Sequence, residues 1–133
     1  MLNHVTDTHA LIWYLEDNPR LGVAAKQAFD ACDRGEIVIY IPTISLVEIL
    51  YLQEKGRISA DLKAQLDAEL QTGTSGLVLV DLTAEVADVM VQVPRTQVPD
   101  MPDRIIAATA VHLGVPLISR DRTIQLSDVD TIW

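Results

Sequence analysis

A helix that is apolar on nearly every side can only be satisfied inside a layered fold, and the stretch that begins at Pro102 encodes such a helix. Pro102 has its φ already set for a first helical turn, where its missing N–H costs nothing, so Asp103 falls at the positive end of the helix dipole. Ile105, Ile106, Ala107, Ala108, Ala110, Val111 and Leu113 leave almost no polar face, and the alanines permit close backbone approach to a sheet. Gly114 ends the helix. Val115-Pro116-Leu117-Ile118 then reads as a short buried strand, with Asp121 just past its carboxyl end. Regular structure therefore tethers two acids, Asp103 and Asp121, at fixed positions relative to each other.

The rest of the chain alternates strands with helices. Asn3-His4-Val5-Thr6 is a short strand that delivers Asp7 to its end, and the helix after it, with Ala10 to Leu15 apolar almost all round, is stopped by Asp17-Asn18-Pro19. Leu21 to Asp33 repeats apolar residues at the three-and-four spacing of one buried helical face. Ile37-Val38-Ile39-Tyr40-Ile41 is an unbroken, largely β-branched run of the kind an interior parallel strand needs. Helices are expected from Ile44 to Glu54 and from Ala60 to Leu70, forming a projecting hairpin, then a flexible Gly73-Thr74-Ser75-Gly76 loop and a strand at Leu77 to Val80. Thr83 N-caps a further helix to Val91, Val93 to Pro99 links it to the central helix, and a last strand is expected between Val129 and Trp133. This order predicts one α/β domain spanning residues 1–133: a three-layer α/β/α sandwich with a mostly parallel central sheet. Ligands in such sheets bind outside the carboxyl ends of the strands where strand order reverses, and Asp7 and Asp121 both point to that edge.

Composition narrows the partners. A formal net charge of −9 excludes a broad basic face for duplex DNA, so any nucleic-acid contact must be local. At 133 residues and 49% hydrophobic content, the chain can build a core and is too apolar for disorder. Cys32 is the single cysteine, so no disulfide framework exists; a reducing cytoplasm is the expected compartment and core packing the expected role. The opening residues lack a signal-peptide pattern, and the charge-free run from Ile105 to Ser119 is broken by Gly114 and Pro116, so no membrane association is expected.

Glu48 completes the acidic set. It is the one charged residue between Glu36 and Glu54, amid Ile44, Leu46, Val47, Ile49, Leu50, Tyr51 and Leu52, and a carboxylate so placed needs a counter-charge. Asp7, Glu48, Asp103 and Asp121 together would repel one another unless a divalent cation joins them. Oxygen-only ligation favours magnesium or manganese, and no Cys/His spacing suggests zinc. Such ions support phosphodiester hydrolysis. Each acid also has a local explanation: Asp7 can N-cap the helix from Thr8, Glu48 can close a capping box with Ser45, Asp103 can complement the dipole with Asp100 as N-cap, and Asp121 can open a turn. The histidines and the aromatic residues Trp13, Tyr14, Tyr40 and Tyr51 read as structural, with His112 inside the buried helix.

The segments Asp7-Thr8-His9-Ala10-Leu11-Ile12-Trp13, Ser45-Leu46-Val47-Glu48, Pro102-Asp103-Arg104-Ile105-Ile106-Ala107-Ala108 and Leu117-Ile118-Ser119-Arg120-Asp121 resemble PIN-domain ribonucleases, above all the VapC-type toxins. The resemblance covers the whole chain in order. It implies a compact α/β/α sandwich, a magnesium- or manganese-dependent endoribonuclease acting on RNA, and carboxylate ligands at Asp7, Glu48, Asp103 and Asp121. It also implies a homodimer and a cognate antitoxin seated near the Ile44 to Leu70 helices. Where the family often carries Thr-x-Asp, this chain has Ser119-Arg120-Asp121, which keeps the hydroxyl. Thr8, Ser45 and Ser119 are expected to support the ligand carboxylates, and Arg104, Arg120 and Arg122, of the available cations, to meet the substrate. The competing expectation is a catalytically silent protein-binding module with the same fold. No phosphate-loop glycine motif is present to support nucleotide binding.

Overall fold

A computed structural model describes residues 1–133. Five strands, β1 (His4–Thr6), β2 (Ile39–Pro42), β3 (Leu77–Val80), β4 (Leu117–Ile118) and β5 (Thr131–Ile132), form one sheet in the order β3-β2-β1-β4-β5. All four pairings are parallel. The chain builds outward from β1 through β2 to β3, then crosses back to lay β4 and β5 on the other side. Strand order therefore reverses between β1 and β4, and the amide of Asp7 donates to the Ile118 carbonyl across that seam at 3.0 Å.

Seven helices cover the sheet: α1 (Thr8–Leu15), α2 (Val23–Asp33), α3 (Ile44–Glu54), α4 (Leu62–Thr72), α5 (Ala84–Val89), α6 (Met101–Leu113) and α7 (Arg122–Gln125). Alternate strand residues feed two separate cores. Ile39, Ile41 and Ile118 pack with Leu11, Phe29, Ile49 and Leu66 beneath α1 to α4. Val5 and Leu117 pack with Val86, Ile106 and Ala110 on the opposite face, beneath α5 and α6. The period of two in the strands thus produces the three layers.

The boundaries of α3 and β3 fall where the residue pattern put them, while α4 is shifted two residues later, from Leu62 to Thr72. The expected helix from Thr83 to Val91 divides into α5 and a 3₁₀ turn at Met90–Gln92, with the Thr83 side chain capping α5 by accepting from the Val86 amide. In α6, Asp100 is the N-cap, accepting from the Asp103 amide at 3.1 Å. Gly114 closes α6 at φ +69°, and its amide bonds to the carbonyls of Ala110 and Val111.

Two sequence expectations require correction. His112 is exposed on α6 rather than enclosed, because the buried stripe of that helix ends at Ala110. The loop before β3, expected to be flexible, is anchored at its last residue: the Gly76 amide donates to the Cys32 carbonyl at 2.9 Å, and its carbonyl accepts from Ile39 at 3.0 Å. A Cβ at Gly76 would lie 1.9 Å from the Ile37 carbonyl oxygen, so only glycine lets the two backbones approach. No helix is long and apolar enough to cross a membrane.

Candidate metal centre

The carboxyl ends of β1 and β4 open onto a cavity of about 440 Å³. Asp7, Glu48, Asp103 and Asp121 all line it, together with Thr8, Arg120 and Arg122. The chain therefore brings together at the topological switch point four acids from four separate segments.

Asp7 is 7% exposed and caps α1, its Oδ1 accepting from the Ala10 amide at 2.8 Å. Burial pushes its carboxyl above the usual range, and the nearby Asp121 adds to this; hydrogen bonds from Ser119 and Ala10 and the charge of His9 oppose it. The fully buried Ser119 also accepts from the Asp121 amide at 3.0 Å, so one side chain touches two of the acids. Asp121 caps α7 through its Oδ1 alone, which takes the amides of Thr123 and Ile124 and the hydroxyl of Thr123. Capping thus engages a single oxygen at each of these residues, so the local explanation and the chemical one are compatible.

Glu48 is placed differently. The N-cap of its helix, α3, is Thr43, which makes no side-chain cap, so Ser45 and Glu48 form no capping box. Ser45 is instead fully buried 2.9 Å from the Thr8 hydroxyl, and Thr8 donates its proton to Glu48 Oε1 at 2.5 Å. Thr8 therefore fixes the carboxylate from α1, and Ser45 meets Thr8 from the helix that carries Glu48.

Asp103 carries the clearest electrostatic signature. Its carboxyl is pushed up to about 7, by burial first and then by the charges of Asp100, Asp121, Glu48 and Asp7. Neighbouring carboxylates add to the effect of burial at Asp103 because none of the acids around it is held in an ion pair. The side chains line the cavity without any three meeting at one coordination point. Their all-oxygen donor set and mutual repulsion fit a hard divalent ion such as magnesium or manganese.

Of the three arginines proposed for substrate, two line the cavity and one does not. Arg104 is spent on the fold: its Nε donates to the Val93 carbonyl at 2.6 Å and its terminal nitrogen to Met90 at 2.8 Å, tying the linker to α6. Nearness in sequence to Asp103 was misleading, because the two side chains leave different faces of the helix. Asp100, His9, Trp13 and Trp133 also line the cavity although the residue pattern assigned them no part in the site. The signals available were the position of Asp100 one turn before Asp103 and of His9 and Trp13 on the helix that Asp7 caps; nothing local marks Trp133.

Comparisons with known proteins place the chain in a family and a fold. The sequence matches the PIN domain family over residues 5–130. Ribonuclease VapC22 of Mycobacterium tuberculosis is 30% identical over 125 residues, which cover 94% of this chain and 92% of that protein. The crystal structure of VapBC2 from Rickettsia felis, bound to a DNA fragment from its promoter, contains a chain that superposes with a TM-score of 0.72 at 17% identity, over 98% of both chains. A toxin–antitoxin complex from Klebsiella pneumoniae gives 0.64 at 20% identity, over 98% of this chain and 96% of the other. FitAcB from Neisseria gonorrhoeae gives 0.62 at 20%, over 97% and 96%. At such identities the structural likenesses speak to the fold.

Proposed function

The chain belongs to the PIN-domain family, and on that footing we propose that it is a metal-dependent endoribonuclease that hydrolyses RNA phosphodiester bonds as the toxin of a type II toxin–antitoxin pair. The observation that carries the reading is the convergence of Asp7, Glu48, Asp103 and Asp121 on one cavity at the reversal of strand order, where burial and the neighbouring charges push the Asp103 carboxyl up. These four residues would hold magnesium or manganese. When bound, that ion supplies activation of water and neutralisation of charge on the phosphodiester. Thr8, itself met by Ser45, holds the Glu48 carboxylate, and Ser119 spaces Asp7 from Asp121. Arg120 and Arg122 on the rim attract the RNA backbone into a cavity that is otherwise acidic.

The whole chain, residues 1–133, acts in this reading as one catalytic domain in the cytoplasm. Its partners are a second copy of itself and a cognate antitoxin. Support for the partners comes from α3, which leaves Val47, Leu50 and Tyr51 exposed, an apolar face of the kind that protein interfaces cover. The relative in M. tuberculosis is named a ribonuclease, and the solved neighbours include toxin–antitoxin complexes.

The test is cleavage of single-stranded RNA with manganese by the purified chain. Asp7→Asn and Asp103→Asn are each expected to abolish it while the circular dichroism spectrum and cooperative melting persist. Equal cleavage by either variant would overturn the reading.

A further inference from the structure

Trp13 stands on the wall of the cavity with two guanidinium groups on its indole: Arg120 Cζ lies 4.7 Å from the ring centroid and Arg20 Cζ 5.8 Å from it. The three residues come from different places: α1, the turn after β4 and the loop between α1 and α2. Trp133 meets the Trp13 ring edge-on at 5.8 Å, and its own carbonyl is fixed by the Ala24 amide at 3.1 Å. The platform is therefore held from several elements.

Neither of these arginines is held by a carboxylate. The ion pairs of the molecule are Lys26 with Asp30, Arg34 with Glu36 and Lys63 with Asp67. Arg120 shares the cavity with five carboxylates and pairs with none of them, and Arg20 is likewise unpaired. A guanidinium within reach of a carboxylate ordinarily takes it in a bidentate pair, and its charge is then cancelled. An indole orients the cation through its π face and leaves the N–H donors free. In a chain of net charge −9, two cations fixed in this way are an unspent positive feature beside the acids.

We propose that Trp13, Arg20 and Arg120 form a phosphate-binding subsite for a nucleotide neighbouring the one whose backbone lies at the four carboxylates. Arg120 serves the cavity itself, and Arg20 extends the path toward the α1–α2 loop. Trp13 is a positioning residue: it acts by holding both arginines. The inference rests on the ribonuclease reading for the identity of the ligand, a single-stranded RNA.

The test is the salt dependence of binding, read by fluorescence anisotropy with an oligoribonucleotide of about ten nucleotides on a metal-free Asp103→Asn background. Arg20→Gln and Arg120→Gln are each expected to weaken binding about tenfold and to lower the slope of log K against log salt by about 0.7, one phosphate contact on a single strand. Trp13→Leu should lose both steps together and Trp13→Phe should retain most of them. If Trp13→Leu does not fold, the exposed Arg20→Gln still decides the matter. Unchanged slopes in both arginine variants, or no binding by the parent, overturn the subsite. Native chain that cuts RNA while the slopes stay unchanged loses the subsite alone; slopes that fall in a chain that never cuts RNA keep the subsite and sink the nuclease.

Discussion

The hydroxyl of Thr8, at the start of α1, donates to Oε1 of Glu48 in the middle of α3, joining two helices across 40 positions of sequence. This bond orients the one acid of the site that does not stand at an element end. It also links the helix that Asp7 caps to the helix that leaves its apolar face exposed.

Removing that donor while keeping shape tests whether orientation matters. Thr8→Val should leave the fold intact and weaken manganese binding roughly 10- to 100-fold, the usual cost of losing a partner behind a ligand. Thr8→Ser should restore most of it. Isothermal titration calorimetry reads both.

Arg104 should behave as a structural residue. Arg104→Gln removes the charged donors to the Met90 and Val93 carbonyls and is expected to cost about 2–3 kcal/mol by urea denaturation. The kcat/KM of the folded fraction should change less than about twofold, far from the tenfold that loss of a charged substrate contact costs.

Stability without metal should fall as pH rises. The Asp103 carboxyl titrates near 3.8 when exposed and at about 7 in the folded chain. A carboxyl raised in this way favours folding fully below its unfolded value, and that contribution is lost as pH climbs through the folded value. The metal-free protein should therefore lose stability between about pH 4 and pH 7. Because Asp7 is raised as well, Asp103→Asn should reduce this slope without removing it, and raise Tm at pH 8 by a few degrees, on the order of 1 kcal/mol once solvent screening in the open cavity is allowed for. Thermal melts across pH in a chelating buffer check it; an unchanged slope in the variant would contradict the assignment.

Gly76→Ala should be among the most damaging single-methyl changes in the chain. The new Cβ would meet backbone, the Ile37 carbonyl oxygen, rather than a side chain that can move aside. A loss of about 3 kcal/mol or more is expected, with β3 detaching first. Hydrogen exchange at the Ile39 amide, which donates to Gly76, reports that event directly.

Periodicity made the layers legible. Ile44 to Glu54 and Leu77 to Val80 were bounded correctly because each is a dense apolar run between strong breakers, and the alternation of strands and helices set the parallel sheet. The acids were legible for a different reason: carboxylates at strand and helix ends, or alone on an apolar helix, are costly without a task. What the sequence concealed depends on direction rather than on pattern. Arg104 lies beside Asp103 in the chain and points elsewhere, whereas Arg120 and Trp133 lie far from Trp13 in the chain and converge on it. Ser45 and Glu48 carry the letters of a capping box, but the N-cap of α3 is Thr43, two residues before Ser45, and both side chains turn to Thr8 instead.

The most direct measurement is a calorimetric titration of manganese into the native chain and into Glu48→Gln, Asp7→Asn and Asp103→Asn, each checked for an unchanged fold. Saturable binding by the native chain, lost or strongly weakened in all three variants, is the expected result, since residues from three segments would then serve one ion. Binding that survives every substitution, or that never occurs, would contradict a shared metal at this cavity.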